Sequence, residues 1–271
     1  MRDMNKEDHR LEVAQGNRFE FGRNWANFLR TLTEEQIQNA QESLCTMLEI
    51  DNLKGKTFLD IGAGSGLFSL AARFLDAKVY SFDNDTQSVA CADALKARYF
   101  NNDESWQIEQ GSILDKTYVA NFGQFDIVYS WGVLHHTGNM WRALENVESF
   151  VAKKGTLFIA IYNDQGWISK YWKVVKKAHN KIPALKPVLF LMHFPYLFCG
   201  RFLVRLISGR LKIERGMNLW HDMVDWLGGY PFEVAKPEEI HQFYRQKGFV
   251  LEKLRTCGGR HGCNEFVFTR E

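Results

Sequence analysis

Three glycines and an aspartate in the segment FLDIGAGSGLFSL, residues 58–70, have the spacing of a turn that cradles a nucleotide. The pattern G-x-G-x-G differs from the dinucleotide pattern G-x-G-x-x-G, whose third glycine would fall at Leu67. Asp60 lies two residues before the first glycine, where a carboxylate would repel a pyrophosphate and attract an ammonium group. The turn therefore predicts a nucleoside ligand that carries a positive charge and lacks a pyrophosphate.

Two further segments supply groups suited to the rest of such a ligand. Asp83 ends the apolar run VYSFD, where a carboxylate can bind both ribose hydroxyls, although nicotinamide enzymes also have an acid at this place. In QGSILD, Ser112 and the backbone of Ile113 can face the edge of an adenine. S-adenosylmethionine meets these requirements, because it has an ammonium group, a sulfonium and no phosphate.

Four segments of the chain occur in a recognisable order and spacing: FLDIGAGSGLFSL, VYSFDND, GSILD and FDIVYSWGVLHH. On these motifs the chain resembles class I S-adenosylmethionine-dependent methyltransferases and is similar to ubiquinone-biosynthesis-type O-methyltransferases. The resemblance covers about residues 55–165 and the C-terminal hairpin. It implies that S-adenosylmethionine is the methyl donor and S-adenosylhomocysteine the product.

The resemblance assigns cofactor-binding roles by position. Asp60 and the glycines would hold the methionine part, Asp83 the ribose, and Ser112 with Ile113 the adenine. Ser112 departs from the family, which often has Asp there, and a hydroxyl bonds the adenine amino group more weakly than a carboxylate does. The expected cofactor-binding set is Asp60, Gly62, Ala63, Gly64, Gly66, Asp83, Asn84, Ser112, Ile113, Ser130 and Trp131. The alternative is a Rossmann-like domain that binds another nucleotide or none.

The candidate catalytic residues follow the fourth and fifth predicted strands. His135 and His136 come directly after the tip of the fourth strand in YSWGVLHHTGNMW, and an imidazole can act as a general base near neutral pH. Tyr162 leaves the fifth strand at the same edge of the sheet. The alternatives are that the histidines cap the next helix or pack against Trp141, and that Tyr162 belongs to a turn.

Candidate substrate contacts come from three segments. Asp164 follows the fifth strand, and LWHDMVDWLGGYPFE and the C-terminal loop GGRHGCNE contribute the others. Part of LWHDMVDWLGGYPFE could instead be a helix N-terminus and a turn. The predicted substrate set is Asp164, His221, Asp222, Asp225, Tyr230, Arg260 and Asn264, with His261 in the same loop. The segment RFEFGRNW is expected either to cover the cofactor through Phe19, Phe21 and Trp25 or to dock as an ordinary N-terminal helix.

These residues require a sheet whose strand ends meet at one edge. Runs of β type at 57–61, 78–82, 106–109, 125–130 and 156–161 alternate with helical patterns at 67–75, 87–98 and 140–151. A helix over 237–247 precedes a final hairpin of strands 249–254 and 265–269. The predicted fold is α/β: a Rossmann-like, seven-stranded, mostly parallel sheet with an antiparallel last strand, a helical N-terminal cap and a helical insertion after the fifth strand.

The expected organisation is a helical cap over residues 1–50, a donor-binding domain over 51–165 and 232–271, and an insertion over 166–231 that covers the active edge. Within these first 50 residues, Thr33 and Gln36 have the spacing of a helix N-cap. Between residues 168 and 215 there are eleven Lys/Arg and one acid, whereas the whole chain has a net charge of +2. The apolar run 188–207 is interrupted by charges, which favours a surface segment over a membrane span.

Composition bounds the remaining properties. The chain has 271 residues, 45% of them hydrophobic, and five cysteines without a CxxC pair. Free thiols in a reducing cytoplasm are expected, with no metal site. The charged N-terminus has no apolar core, so no signal peptide is predicted. Attachment to the inner face of the membrane through residues 188–207, an anionic substrate, and packing as a lid or homodimer are the alternatives for the basic insertion.

The leading hypothesis is a cytoplasmic O-methyltransferase for a small or lipophilic acceptor, with His135 or His136 as the base. One alternative is methylation of a sugar or nucleotide-linked sugar in surface-glycan synthesis. Another is a non-catalytic protein that binds S-adenosylmethionine. Nucleic acid is not expected as a partner, because the basic stretch is heavily apolar and no RNA-binding module accompanies it.

Overall fold

The computed structural model describes residues 9–196, 226–259 and 261–271. The strands are β1 (Thr57–Ile61), β2 (Lys78–Asp83), β3 (Trp106–Gln110), β4 (Phe125–Trp131), β5 (Val151–Tyr162), β6 (Phe249–Arg255) and β7 (Cys263–Arg270). The helices are α1 (Phe21–Arg30), α2 (Glu34–Leu48), α3 (Leu67–Phe74), α4 (Thr86–Tyr99), α5 (Lys116–Ala120), α6 (Met140–Glu148), α7 (Trp167–Lys181), α8 (Lys186–Phe194) and α9 (Pro237–Arg245). Short 3₁₀ turns lie at Leu134–His136 and Pro183–Leu185.

The seven strands form one sheet in the order β3-β2-β1-β4-β5-β7-β6. The pairs among β1 to β5 are parallel, and β7 runs antiparallel to both β5 and β6. This confirms the predicted mostly parallel sheet with an antiparallel last strand. The strand order reverses between β1 and β4, so a crevice opens at the carboxyl ends of these strands.

Strand β5 begins five residues before the predicted start at Thr156, and helix α6 ends three residues before the predicted end at Val151. Val151 pairs with Phe125, and the register then shifts before Thr156 pairs with Ile127. Phe150 and Val151 are both buried in the core. Burial of these side chains at the start of β5 therefore outweighs the helical pattern of the sequence.

Alternation along β1 divides the core between the two faces of the sheet. Phe58 packs with residues of α2 and α3, whereas Leu59 and Ile61 pack with residues of α6 and α9. Successive side chains of a strand point to opposite faces, so both faces of this strand are buried. The N-cap signal is confirmed, because Thr33 and Gln36 form a reciprocal capping box at the start of α2.

Helices α7 and α8 follow β5 at the carboxyl edge of the sheet. Trp172, Val175, Trp226, Leu227 and Phe232 form a separate small core beneath them. Among the residues described, no helix is long and apolar enough to cross a bilayer. Of the segment 188–207, residues 197 onward lie outside the described ranges.

Candidate functional site

A cavity of about 1230 Å³ lies at the carboxyl ends of the parallel strands. It brings together most of the residues predicted to bind the cofactor and two of the predicted catalytic residues. Those that line it are Asp60, Gly62, Ala63, Gly64, Asp83, Asn84, Ser112, Ile113, Trp131, His136 and Tyr162. Gly66, Ser130, His135, Asp164, Tyr230 and Asn264 are not on its wall. His221, Asp222, Asp225 and Arg260 lie outside the described residues.

The glycine turn leads from β1 into α3 and requires glycine by conformation and by space. Gly62, Gly64 and Gly66 have φ values of 74°, 56° and 79°, in the left-handed region. A Cβ on Gly64 would lie 2.9 Å from Trp25 Nε1, and a Cβ on Gly66 would lie 2.9 Å from the Ala92 Cα. The turn therefore lets the backbone approach both α4 and the N-terminal segment.

Asp60 ends a chain of buried polar side chains below the turn. The Ser69 hydroxyl donates to Asp60 Oδ2 at 2.5 Å and lies 2.7 Å from the Ser81 hydroxyl, which accepts from Trp106 Nε1 at 2.9 Å. Burial raises the pKa of Asp60 to about 7, although the Ser69 bond opposes the rise. A cationic group in the cavity would favour the ionised carboxylate.

Asp83, at the end of β2, is held by backbone amides. Its two carboxylate oxygens accept from the amides of Gly64 and Asp85, each at 2.9 Å. Burial raises the pKa of Asp83 to about 6, and these two bonds oppose the rise. Each carboxylate oxygen can accept a further bond, so Asp83 retains the capacity to receive two hydroxyls.

The end of the cavity beyond β3 is shaped by a short loop. Leu114 donates its amide to Ser112 Oγ at 3.2 Å, and Asn146 Nδ2 donates to the carbonyl of Ile113 at 2.7 Å. The buried Ile113 side chain lies on the cavity wall. Ser130 was predicted to bind the cofactor, but it does not line the cavity. Its buried hydroxyl donates to the carbonyl of Ile61 at 3.0 Å and joins β4 to β1.

The two adjacent histidines differ in their access to the cavity. His136 lies on the wall, and its Nδ1 donates to the carbonyl of Pro231 at 2.6 Å, which leaves Nε2 as an acceptor. Burial lowers the pKa of His136 to about 3, against the opposing Pro231 bond. His135 is fully buried behind it, where Nδ1 accepts from the amide of Tyr162 at 3.3 Å. Its pKa is lowered well below the usual value by burial.

The N-terminal segment covers the cavity through the predicted aromatic residues and through Arg18, which precedes them. Phe19, Phe21 and Trp25 line the wall, as the lid interpretation expected, and the Phe21 ring lies 5.1 Å from the His136 ring. Arg18 was not among the candidates, yet Nη1 donates to the carbonyl of His136 at 3.0 Å. The sequence around Arg18 contains no pattern that predicts its bond to the carbonyl of His136.

Asp85 is a second residue that the sequence did not single out. It is the N-cap of α4, where Oδ1 accepts from the amide of Gln87 at 2.9 Å. Its other oxygen, Oδ2, accepts from the amide of Gly22 at the start of α1 at 2.8 Å. The N-cap role is visible in the sequence NDTQ, but the bond to the N-terminal segment depends on tertiary structure.

The opposite end of the cavity is an aromatic chamber, formed by Tyr162, Ile168, Tyr196, Trp226 and His261. The Trp226 ring lies 5.4 Å from the Tyr162 ring and 5.1 Å from the His261 ring. Lys176 is fully buried, and Nζ donates to the carbonyl of Trp226 and lies 4.5 Å from the centroid of its ring. These contacts fix the position of Trp226.

Three predicted substrate residues support loops near this chamber. Asn264 is buried, and its side chain accepts from the amide of Cys257 at 3.1 Å and donates to Asn163 Oδ1 at 3.0 Å. Asp164 accepts from the amide of Gly166 at 2.8 Å, before α7. The carbonyl of Tyr230 accepts from the amide of Phe19 at 2.9 Å. These bonds hold the C-terminal loop, the insertion and the N-terminal segment in place.

The residues at the glycine-turn end fit S-adenosylmethionine. Asp60 and Asp83 have carboxylates on the wall that can accept from an ammonium group and from ribose hydroxyls, and Gly62 and Gly64 bring backbone without a side chain to the same wall. Ile113 and Phe82 supply apolar walls for a purine ring. Among the described residues no group of His, Cys, Asp and Glu has the arrangement of a metal site.

In a comparison with known families, residues 59–157 match the family described as methyltransferase domain. Two curated relatives are ribosomal protein L11 methyltransferases. The one from Prochlorococcus marinus (strain MIT 9515) is 40% identical over 92 residues, covering 32% of this chain and 27% of the relative. The one from Helicobacter hepaticus (strain ATCC 51449 / 3B1) is 27% identical over 187 residues, covering 65% of this chain and 55% of the relative. The chain thus spans about a quarter to a half of the length of these relatives.

A solved structure shares the fold: magnesium protoporphyrin IX methyltransferase from Synechocystis PCC 6803, which holds bound S-adenosylhomocysteine. The TM-score is 0.53 at 14% identity, and the match covers 87% of this chain and 83% of that one. The family match and the L11 relatives support the general class that the motifs predicted. They do not support the narrower similarity to ubiquinone-biosynthesis-type enzymes.

Proposed function

We propose that this chain, which carries a class I S-adenosylmethionine-dependent methyltransferase domain with S-adenosylmethionine as its cofactor, methylates an oxygen atom of a small lipophilic or aromatic acceptor. The observation that carries the proposal is the continuity of one cavity of about 1230 Å³ from the glycine turn to the aromatic chamber. Donor and acceptor can then lie in the same cavity.

The donor end uses the residues described above. S-adenosylmethionine supplies an electrophilic methyl group when bound. Asp60 and the glycine turn would hold its amino-acid part, Asp83 and Asn84 the ribose, and Ser112 and Ile113 the adenine. Trp131 also lines the cavity, and its Nε1 donates to the buried Glu265 at 2.9 Å. Rigid placement of this kind supplies much of the rate in a displacement reaction.

The acceptor end favours a planar, apolar molecule. Tyr162, Trp226 and His261 present ring surfaces, and the described residues that line this end include no carboxylate to attract an amine. These three residues lie outside residues 59–157, so the family match does not reach the acceptor walls. The L11 relatives share only 27% and 55% of their own length with this chain, so their names alone do not assign its acceptor.

In this proposal, His136 receives the proton of an attacking hydroxyl. Its Nδ1–H is fixed by Pro231, so the lone pair of Nε2 is available on the cavity wall. A low pKa keeps the ring neutral, and an attacking hydroxyl becomes strongly acidic as it bonds to carbon, so a weak base suffices. His135 supports the site by holding the amide of Tyr162.

The test incubates the purified chain with methyl-labelled S-adenosylmethionine and a cell extract, followed by partition between organic and aqueous phases. We expect label in a small molecule of the organic phase. Trp226→Leu should lower that label strongly while S-adenosylhomocysteine binding is retained, and Trp141→Leu, at an exposed tryptophan away from the cavity, should not.

Other outcomes contradict parts of the proposal. Label in an aqueous sugar or nucleotide would replace the lipophilic acceptor with the glycan alternative. Label in protein would favour the kind of substrate named for the L11 relatives. Absence of label with intact S-adenosylhomocysteine binding would leave a binding protein without catalysis.

A further inference from the structure

Helices α7 and α8 expose an unusual amount of apolar side chain. Trp167 and Val174 on α7 are 75% and 68% exposed, and Leu191 and Met192 on α8 are 72% and 65% exposed. Positions 167, 171 and 174 form one stripe along α7, because residues three and four apart share a helix face. Large exposed apolar patches on soluble chains mark surfaces that bind a partner.

The charge around this patch has a single sign. Residues 165–196 contain six lysines and no acidic residue. Lys170, Lys173, Lys177 and Lys181 are exposed along α7, and Lys186 is exposed at the start of α8. Lysines beside exposed aromatic and aliphatic residues are the composition of a segment that lies on an anionic lipid surface.

The two helices are held side by side, next to the cavity. The Tyr171 hydroxyl lies 2.7 Å from His193 Nε2, which joins α7 to α8. Tyr196, just after α8, is 57% exposed and also lines the aromatic chamber. The patch therefore adjoins the end of the cavity at which an acceptor would enter.

We propose that the exposed face of α7 and α8 docks on an anionic phospholipid surface. A second copy of the chain is the weaker candidate, because a two-fold interface would place lysines against lysines. Lipid phosphates neutralise these lysines, while the apolar residues enter the region between headgroups and acyl chains. Docking itself is independent of methyl transfer; the entry of a lipophilic acceptor from the bilayer rests on the proposed function.

The experiment measures co-sedimentation of the full chain with phosphatidylcholine vesicles that contain phosphatidylglycerol, without any methyl donor. We expect binding that weakens with salt and is much lower on pure phosphatidylcholine. The double variants Leu191→Ser/Met192→Ser and Lys170→Glu/Lys173→Glu should each weaken binding by more than about tenfold. None of these four residues lines the cavity, so S-adenosylhomocysteine binding verifies that the variants are folded.

The matched control, Lys116→Glu/Lys153→Glu, changes the same charge at exposed lysines on α5 and β5. Equal loss in this control would show attraction by net charge alone and would overturn a localised docking face. Unchanged binding in both patch variants would also overturn it. A dimer in sedimentation equilibrium that Leu191→Ser/Met192→Ser dissociates would assign the face to a second copy instead. Because no catalysis is measured, these results are separate from the fate of the proposed function.

Discussion

The carboxylate of Asp85 accepts a hydrogen bond of 2.8 Å from the amide of Gly22, 63 residues earlier in the chain. Asp85 also caps α4 and donates its own amide to Asp83. One residue thus joins the N-terminal segment and the helix after β2 through its side chain, and the carboxylate proposed to bind the ribose through its backbone amide. Closure of the N-terminal segment over the cavity and occupancy of the donor end should therefore be coupled.

Asp85→Ala is expected to weaken S-adenosylhomocysteine binding by about tenfold beyond its effect on folding, since it releases Gly22 as well as the N-cap. The measurement is isothermal titration calorimetry with a parallel melting curve. Asp115→Ala is the matched control, because Asp115 caps α5 through the amides of Thr117 and Tyr118 and is not on the cavity wall. Equal loss of affinity in both variants would contradict the coupling.

Ligand affinity should rise with pH across the range in which Asp60 and Asp83 titrate. Burial raises the pKa of Asp60 to about 7 and that of Asp83 to about 6, so both bind protons in the ligand-free fold at about pH 5. An ammonium group and ribose hydroxyls favour the ionised forms, so S-adenosylhomocysteine should release protons and bind more tightly toward about pH 8.

The pH dependence of the stability of the ligand-free fold has the opposite sign to that of ligand affinity. Because the folded-state pKa values exceed those of the unfolded chain, the ligand-free fold loses stability as pH rises from about 4 through the raised values. Calorimetry in buffers of different ionisation enthalpy counts the released protons. Asp60→Asn removes one titrating group, and an unchanged proton count in that variant would refute the assignment.

His136→Gln should lower kcat by about 10²–10⁴-fold with little change in S-adenosylhomocysteine affinity, because it removes the proposed proton acceptor. His135→Asn retains an acceptor for the amide of Tyr162 and should lower kcat far less. The pKa of His136, lowered to about 3 by burial, predicts that this side chain causes no inflection of kcat near pH 6.5. An inflection there that disappears in His136→Gln would contradict the prediction.

Gly64→Ala should disturb the contact between the glycine turn and the N-terminal segment, as well as the turn itself. The new methyl group would lie 2.9 Å from Trp25 Nε1, at a backbone φ of 56°. We expect S-adenosylhomocysteine affinity to fall by more than about tenfold, in addition to a backbone penalty of about 1–2 kcal/mol. Gly55→Ala is the control, with a φ of 75° and no atom within 4 Å of the added Cβ. It should show the backbone penalty in its melting temperature and unaltered binding.

The fold was largely predictable because its signals are local. Apolar runs of five to seven residues such as TFLDI and FDIVYSW form strands β1 and β4, and both are buried in the sheet. The glycine turn and Asp83 were found by spacing, because a turn between a strand and a helix is built from neighbouring residues. The start of β5 was missed, since only burial of Phe150 and Val151 decides it.

The acceptor side was less predictable, because tertiary structure assembles it. Tyr162, Trp226 and His261 come from three distant segments, and no spacing connects them. Asn264, predicted as a substrate contact from its type and location, bonds Cys257 and Asn163 through its side-chain amide, which the sequence did not indicate. Polar side chains in a loop satisfy neighbouring backbone before they face a ligand.

Strand β7 occupies a slot between two strands that precede it in the chain, β5 and β6. As a ribosome synthesises the protein from its N-terminus, one edge of β5 remains unpaired until residues 263–270 have been made. Such an edge can pair with other nascent chains. Strands β1 to β4, which carry the donor end, need no later residue to complete their pairing with one another. The donor half of the sheet can therefore form during translation, whereas the half beside the acceptor closes only once its last strand has been made.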